Sequence, residues 1–350
     1  MAGNKSLGAA KTAKQDEFYT QRGDIENELA HYAEHFRGKV VYCNCDDPVT
    51  SEFWQFFVRN FQPWGLKRLV ATHYEPDDKN YSYKLEMEPD ENGQFSMYAE
   101  PVKTPLPCNG DFRSAACVEL LKEADIVVTN PPFSLFREYI VQLVEHGKKF
   151  LIIGNQNAVT YKEVFALLQS NQVWLGYYVG DMAFRVPDYY EPRATRFWID
   201  DSGQKWRSLG NACWFTNLDI PKRHQPIDLR GNYYKGNESR FPIYVNCDAI
   251  EVSKIADIPC DYDGLMGVPI TFVSKYCPEQ FEILGLDYDK TIPSNRGLDE
   301  TFVREYYEQG NTGSITVGHP SLGYRLEDGK VVRTYRRILI RRKGATASGH

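Results

Sequence analysis

The sequence predicts an α/β fold with a largely parallel central sheet. The first indication is a short apolar run from Asp125 to Phe133 (DIVVTNPPF), whose β-branched residues are continuous and too few for a helix. Such a run fits a strand buried on both faces. The second indication is a pair of strand–helix–strand steps within residues 38–76, with acidic residues at the strand tips. Steps of this kind bring parallel strands side by side.

The elements follow in order along the first half of the chain. Asp24 to Phe36 is predicted as an amphipathic helix, with Asp24 as its N-cap and Gly38 beyond its end. The further predicted elements are a strand at 39–45, a helix over 51–61, a strand at 66–73, a helix over 115–124, the strand ending at Asn130, a helix over 135–146 and a strand at 150–155. This alternation over residues 38–170 is a Rossmann-like pattern.

Two stretches depart from the alternation. Apolar residues alternate from Tyr81 to Met87 and return at 95–98 after a turn, which predicts a hairpin inserted in the sheet region. From Val173 onward the pattern is antiparallel. The strands predicted there lie at 196–199 and 212–216, with a turn at 200–203 between them, and residues 221–330 form a mixed region with a strand at 281–285.

Composition places the chain among soluble globular proteins. Of its 350 residues, 25% are charged and 42% hydrophobic, and the net charge is −6. No apolar run has the length of a membrane span and no signal peptide is evident, so we expect a cytoplasmic protein without a membrane partner. The eight cysteines lack metal-binding spacing, so we expect reduced thiols and no metal. The negative charge argues mildly against nucleic acid but does not exclude a basic face.

The segment Asn130-Pro131-Pro132-Phe133 suits a flat ring that bears an exocyclic amine. Proline has no N–H and restricts the residue before it, so Asn130 is held extended at the carboxyl end of its strand with the Pro131 carbonyl free. Open α/β sheets bind ligands at that edge. An adenine there could donate its N6 hydrogens to Asn130 and Pro131 while stacking on Phe133. Asn-Pro-Pro could also be a simple strand terminator.

This tetrapeptide resembles the catalytic motif of amino-group methyltransferases, and its leading Asn is closer to the adenine-N6 branch than to the cytosine-N4 branch. Further stretches carry a more specific resemblance: DEFYTQ at 16–21, YCNCDDP at 42–48, GDF at 110–112 and GVPITF at 267–272. With them, almost the whole chain resembles the EcoRI-type adenine-specific DNA methyltransferase family. The resemblance implies S-adenosylmethionine as cofactor, double-stranded DNA as substrate, a restriction–modification or host-protection setting, and GAATTC as a candidate recognition sequence.

The strand ends and the resemblance together predict which residues bind the cofactor. Phe18-Tyr19-Thr20 is similar to the amino-terminal motif that contacts the methionine end, Glu75 would bind the ribose hydroxyls, and Asp47 would face the methionine amino group. The predicted cofactor residues are Phe18, Tyr19, Thr20, Asp46, Asp47, Glu75, Asp111, Phe112 and Asn130, with Asp111 binding the adenine amine. Each acid alone could be a cap or turn residue, and residues 18–20 could simply anchor the first helix.

One departure from the wider superfamily concerns the turn after the first strand. Residues 47–51 contain no Gly, although most relatives place glycines there so that the backbone can approach the cofactor. The EcoRI-type group is similar in this respect, so we interpret the missing glycines as a trait of the subgroup.

The chain is predicted to divide into a disordered tail (1–14), a Rossmann-like S-adenosylmethionine-binding catalytic domain (15–220), a mixed α+β DNA target-recognition region (221–343) and a second tail (344–350). Two basic clusters are predicted to bind DNA: Arg223, Arg230 and Lys235 in one, Arg336 and Arg337 in the other. A solvated strand edge explains either cluster equally well, because edge strands carry cations that prevent aggregation.

The predicted reaction is transfer of a methyl group to N6 of a flipped-out adenine by a monomeric enzyme, without metal or covalent intermediate. Two alternatives remain open. One is a methyltransferase for another amine, such as RNA adenine or protein glutamine, because Asn-Pro-Pro-aromatic occurs in those enzymes too. The other is a non-enzymatic DNA-binding module with a vestigial cofactor pocket.

Overall fold

The structure, a computed structural model, describes residues 18–45, 47–75, 82–90, 100–292 and 294–343. The chain separates into two compact units, one ending at Ile220 and the other containing Phe165–Gln172 and the residues from Pro221 onward. Within the described ranges no helix is long and apolar enough to cross a membrane. The predicted tails at 1–14 and 344–350 lie outside these ranges, and the predicted functions of the two regions stay predictions.

The first unit is built on a large mixed sheet. Its strands are β1 (Val40–Cys43), β2 (Arg68–Thr72), β3 (Tyr83–Met87), β4 (Val102–Pro105), β5 (Ile126–Thr129), β6 (Lys149–Asn155), β7 (Trp174–Arg185), β8 (Phe197–Ile199) and β9 (Lys205–Thr216). Their order is β4-β3-β2-β1-β5-β6-β9-β7, with β8 paired to β9. The four central strands β2, β1, β5 and β6 are parallel, whereas the pairs on either side are antiparallel. The predicted α/β class is confirmed, and the sheet is consistent with a methyltransferase fold.

The helices of this part of the chain are α1 (Arg22–Leu29), α2 (Glu52–Trp64), α3 (Ala115–Glu123), α4 (Phe136–Glu145) and α5 (Lys162–Gln169), with 3-10 helices at Ala30–Phe36, Phe133–Leu135 and Gln156–Thr160. Local signals set the bounds of α2: the Ser51 hydroxyl accepts from the Phe53 amide, and Gly65 ends the helix at φ +64°. The prediction that Asp24 caps the first helix is wrong. Gln21 is the N-cap and Asp24 lies in the first turn.

Antiparallel strands in this region are confirmed. β3 pairs with β2 on one side and with β4 (Val102–Pro105) on the other. Tyr81 and the predicted strand at 95–98 lie outside the described residues. The antiparallel pair with a turn at 200–203 is confirmed as β8 and β9.

The long strand β7 was not predicted, because its register against β9 shifts twice and breaks the two-residue period. A buried carboxylate stabilises the first shift. Glu28, 1% exposed, accepts from the amides of Tyr177 and Tyr178, at 2.7 Å each, and from the Tyr32 hydroxyl at 2.8 Å. A Cβ on Gly176 would lie 2.2 Å from Glu28 Oε1, so only glycine fits beside this carboxylate.

The second unit contains a four-stranded sheet and a two-stranded one. Its elements are β10 (Ala249–Glu251), β11 (Leu265–Pro269), β12 (Phe281–Leu286), α6 (Glu300–Glu308), β13 (Gly323–Arg325), β14 (Val331–Arg333) and β15 (Arg337–Arg342). The larger sheet has the order β10-β11-β15-β12, and β13 pairs with β14. The basic C-terminal strand β15 is therefore interior, with Ile338, Leu339 and Ile340 fully buried. The alternative of a solvated edge does not hold for this cluster.

Candidate functional site

The candidate site lies at the carboxyl edge of the parallel strands. Cys43 pairs with Ala71 across β1 and β2, and Tyr42 pairs with Val127 across β1 and β5, so the segments that follow these strands meet at one edge. The chain passes from β1 to β2 on one side and returns to β5 on the other. The gap between β1 and β5 is thus a topological switch point, where open α/β sheets bind ligands.

Asn130 follows β5 at this edge and is 6% exposed. Its Nδ2 donates to the Phe18 carbonyl at 2.7 Å. Its Oδ1 is buried and has no hydrogen-bond partner among the described residues. An unsatisfied buried acceptor costs roughly 1–3 kcal/mol, and one in a native structure calls for an explanation. A ligand amine that donates to Oδ1 would supply it.

Three aromatic rings, two of them on Phe18 and Phe133, pack together beside this segment. Phe133 stacks on Phe18, with centroids 5.4 Å apart and planes at 25°. Phe184, at the end of β7, meets both rings edge-on at 5.6 and 6.4 Å. The predicted stacking of a base on Phe133 is therefore restricted to the part of the ring that Phe18 and Phe184 leave uncovered.

The predicted amino-terminal motif lies against the Asn-Pro-Pro-Phe segment. Phe18 provides the carbonyl bound by Asn130, and the Tyr19 backbone exchanges hydrogen bonds with Arg185 at 2.9 and 3.2 Å. Thr20 is 2% exposed, and its hydroxyl has no hydrogen-bond partner among the described residues. Two unsatisfied buried polar atoms, on Asn130 and Thr20, thus occur in segments joined by a hydrogen bond.

Asp47 lies in the turn after β1, and much of its hydrogen-bonding is local. Its Oδ1 accepts from the Val49 amide at 3.0 Å and from the Tyr83 hydroxyl at 3.2 Å, and its carbonyl accepts from Ser51 at 2.7 Å. Burial and the Asp47 carboxylate raise the pKa of Tyr83 to about 12. Asp47 remains one-third exposed. Its predicted neighbour Asp46 lies outside the described residues.

Glu75 and Asp111 are carried by adjacent segments. The Glu75 amide donates to the Asn109 carbonyl at 3.0 Å. Gly110 has φ +81°, and a Cβ there would lie 1.9 Å from the His73 carbonyl oxygen, so the contact requires glycine. This close approach brings the segment before α3 against the end of β2.

The Asp111 carboxylate is paired with Arg113, whose Nη2 lies 2.6 Å from Oδ2 and whose Nε lies 2.8 Å from Oδ1. The pairing raises the pKa of the Arg113 guanidinium. A carboxylate offers about four acceptor positions, so the predicted contact with an adenine amine has to share the group with Arg113. Phe112 is 6% exposed and packs edge-on against Tyr139 at 5.0 Å.

The sequence reasoning missed a buried polar network beneath the site. The Thr129 hydroxyl donates to the Asn44 carbonyl, and the Tyr139 hydroxyl donates to Asn44 Oδ1. All three residues are buried, and burial raises the pKa of Tyr139, which keeps its hydroxyl protonated. The network joins the turn after β1 to β5 and α4. The available signal in the sequence was an Asn directly after the apolar run of the first predicted strand.

In the glycine-poor turn after β1, Cys45 has a left-handed backbone with φ +79°. A non-glycine residue in this region costs on the order of 1–3 kcal/mol, and such strain concentrates at functional sites. Residues 47–51 contain no glycine, and the backbone strain of this turn lies two residues earlier, at Cys45.

The predicted DNA-binding cations have different surroundings. Arg230 is 85% exposed and pairs with Asp228 at 2.6 Å, and Arg223 donates to Asn171 at 3.3 Å. Lys235 is exposed, with φ +69°. No group of three or more metal-ligating side chains is arranged for an ion in the described part of the chain.

Arg336 and Arg337 pair with different acids. Arg336 is half-exposed and lies 3.2 Å from buried Asp287, whereas Arg337 is 13% exposed and lies 2.8 Å from Glu251, which is 1% exposed. An internal, hydrogen-bonded pair of this kind fits a structural role for Arg337, and the predicted contact of its guanidinium with DNA is not supported.

The chain is similar to known proteins over most of its length. Residues 6–343 match the family described as adenine-specific methyltransferase EcoRI. The chain is 49% identical over 311 residues to Type II methyltransferase M.EcoRI of Escherichia coli. This alignment covers 85% of the chain and 92% of that relative. It is 43% identical over 281 residues to M.MpnI of Mycoplasma pneumoniae (79% and 83% covered) and 41% identical over 280 residues to M.MgeORF184P of Mycoplasma genitalium (79% and 84%).

Proposed function

Because the chain belongs to the EcoRI family of adenine-specific DNA methyltransferases, we propose that Asn130, Pro131 and Phe133 bind a target adenine for methylation at N6. The observation that carries the proposal is the buried Oδ1 of Asn130, which lacks a donor among the described residues and lies at the switch point of the sheet. A primary aromatic amine offers two N–H donors, one for Oδ1 and one for the Pro131 carbonyl.

The Phe18 carbonyl fixes how Asn130 presents its amide. Because Nδ2 is bound to Phe18 at 2.7 Å, Oδ1 is the end that remains for a ligand. Hydrogen bonds from N6 to Oδ1 and to Pro131 strengthen as the nitrogen becomes tetrahedral and positive, so they stabilise the transition state more than the ground state. No general base has to act first, because the N6 proton becomes acidic only after transfer.

We infer that the cofactor is S-adenosylmethionine, which when bound supplies the methyl group on a sulfonium sulfur. The buried, unsatisfied Thr20 hydroxyl fits a bound polar molecule. Residues 18–20 and Asp47 would hold its methionine end, Glu75 its ribose hydroxyls, and Asp111 with Phe112 its adenine. Asp47 and Glu75 follow the carboxyl ends of β1 and β2, in keeping with the predicted Rossmann-like arrangement.

The target base has to leave the duplex, since its N6 is engaged in pairing, and extrusion costs a few kcal/mol. Stacking on the uncovered part of Phe133 offsets about 1–3 kcal/mol of this cost. We further propose that residues 221–343 recognise DNA, with Arg223, Arg230, Lys235 and Arg336 as candidate phosphate contacts. A monomer acting in the cytoplasm, in a restriction–modification setting, completes the proposal.

The proposal is tested by supplying the full chain with methyl-labelled S-adenosylmethionine and three substrates: duplex DNA containing GAATTC, RNA, and a glutamine-containing protein. We expect label in duplex DNA alone, recovered as N6-methyladenine. A duplex with its adenines replaced outside GAATTC tests the candidate sequence. Label in RNA or protein instead would refute the assignment. Failure to bind S-adenosylmethionine in calorimetry would favour a vestigial cofactor pocket.

A further inference from the structure

Buried Asn246 is hydrogen-bonded to two segments of the second unit. Its Nδ2 donates to the carbonyls of Arg296 at 2.7 Å and Ser321 at 3.0 Å, and its Oδ1 accepts from the Gly323 amide at 3.1 Å. The Asn246 carbonyl also accepts from the Arg296 amide at 2.8 Å. Both Nδ2 hydrogens and the Oδ1 of Asn246 are thus hydrogen-bonded. We call segments 294–298, 316–323 and 333–336 the Asn246 platform.

Backbone contacts join the same segments directly. The Leu298 amide donates to His319 at 3.0 Å, and Gly318 donates to Leu298 at 2.8 Å. A Cβ on Gly297 would lie 2.4 Å from the Gly318 Cα, so the two backbones touch. Thr334 continues the pattern, because its amide and hydroxyl both donate to the Leu322 carbonyl at 3.0 Å. The platform is therefore preorganised, as binding surfaces on loops require.

The platform carries three arginines. Arg296 and Arg333 have no carboxylate partner among the described residues; Arg333 donates to the Ser321 hydroxyl and the Ser314 carbonyl, at 3.2 Å each. Arg336 pairs with Asp287 yet keeps about half of its side chain exposed. Two nearby acids have local partners: Asp289 Oδ1 accepts from Thr291, and Asp299 Oδ1 caps α6.

The charge of two of these arginines affects the pKa of His319 in the platform. Burial, followed by Arg333 and Arg336, lowers the pKa of His319. The neighbouring guanidinium groups thus disfavour a further positive charge at this position. A surface with this electrostatic character attracts phosphate groups.

Tyr335 projects from the platform beside these cations. It is 91% exposed, more than any other aromatic residue in the described part of the chain, and Tyr189 follows at 50%. The Arg336 guanidinium lies 4.9 Å from the ring centre of Tyr288, so a second aromatic residue accompanies the cluster. Exposed aromatic rings beside arginines are the combination with which proteins stack bases and hold the adjoining backbone.

We infer that the Asn246 platform contacts DNA, with Arg296, Arg333 and Arg336 binding phosphates and Tyr335 stacking on a base. This inference rests on the proposed function, since it takes DNA as the substrate. It adds an aromatic contact and two arginines, Arg296 and Arg333, to the predicted recognition region. It also assigns Arg336 to the surface and leaves Arg337 in the interior.

The test measures binding of the full chain to duplexes with and without GAATTC by fluorescence anisotropy at several salt concentrations. Tyr335→Ala should weaken binding roughly 5- to 150-fold, the range for one stacked base, and Tyr335→Phe should stay near wild type. Arg296→Gln should weaken binding to both duplexes and reduce the salt slope by about one. Arg336→Gln combined with Asp287→Asn should do the same without leaving a buried carboxylate unpaired.

Ile243→Ala is the control, because Ile243 is a 63% exposed side chain in the same unit and belongs to neither the platform nor the other basic cluster. Its binding should be that of wild type. Wild-type affinity and salt slope in the Tyr335→Ala and Arg296→Gln variants would overturn the inference, as would an equal loss in Ile243→Ala. Methylation by the unmodified chain is measured in parallel. Its absence would refute the proposed function, whereas activity with unaltered binding in the variants would refute only the platform.

Discussion

Replacing Asn130 by Ala tests whether its amide binds a ligand or only stabilises the fold. The variant loses the bond to the Phe18 carbonyl, which stabilises the wild type by about 0.5–1.5 kcal/mol. It also loses the buried Oδ1, which has no donor and destabilises the wild type by about 1–3 kcal/mol. These terms offset one another, so we expect the free energy of unfolding to be unchanged or slightly increased. Loss of one acceptor for the reacting amine should lower kcat by about 10²- to 10³-fold.

Asn60→Ala supplies the matched control. Asn60 makes the same kind of bond, from Nδ2 to the Phe56 carbonyl at 2.9 Å, but it lies within α2. We expect this variant to lose about 0.5–1.5 kcal/mol of stability and to keep its kcat. Urea unfolding and single-turnover methylation measure the two quantities, and calorimetry checks cofactor binding. Wild-type turnover in Asn130→Ala, or a loss of stability larger than that of Asn60→Ala, would refute the reasoning.

Three further predictions follow from the structure. Phe133→Ala should weaken stacking of the extruded base by about 1–3 kcal/mol, while Phe133→Trp keeps more activity; equal loss in methylation assays would make Phe133 a core residue only. Glu28→Gln should lower the free energy of unfolding by about 2–4 kcal/mol, because a charged acceptor of two amides is lost, whereas exposed Glu26→Gln changes it little in urea titrations. The pKa of Tyr83 is raised to about 12, so its contribution to the free energy of unfolding is complete below about pH 10 and declines between about pH 10 and 12. Tyr83→Phe should lack this part of the decline in stability. Identical stability–pH profiles for the variant and the wild type would contradict the prediction.

Local signals explain what could be predicted from the sequence. The apolar run before Asn130 specified β5, and Ser51 marked the start of α2, because buried strands and helix caps depend on neighbouring residues. The predicted end of that helix at residue 61 falls short of its observed end at Trp64. The candidate site was predictable for a related reason. Residues that follow parallel strands meet at one edge, whatever the details of packing.

Partners far apart in the sequence explain what could not be predicted. Asn130 meets Phe18 across 112 residues, and Arg337 meets Glu251 across 86. The sequence of the basic C-terminal segment reveals its cations but not Glu251, the buried acid that pairs with Arg337. Likewise, the first register shift of β7 is stabilised by Glu28, about 150 residues away, and no period within the strand reveals it.

The interior place of β15 has a consequence for synthesis of the chain. Its two neighbours, β11 and β12, are not hydrogen-bonded to each other, and β15 is translated about 50 residues after β12. At roughly 5–20 residues per second, both neighbours leave the ribosome some 3–10 seconds before the strand that joins them. During that interval each presents an unpaired edge, which invites pairing with other nascent chains. Slow translation between residues 287 and 336 would therefore favour aggregation of the second unit, whereas the sheet of the first unit is already complete at Thr216.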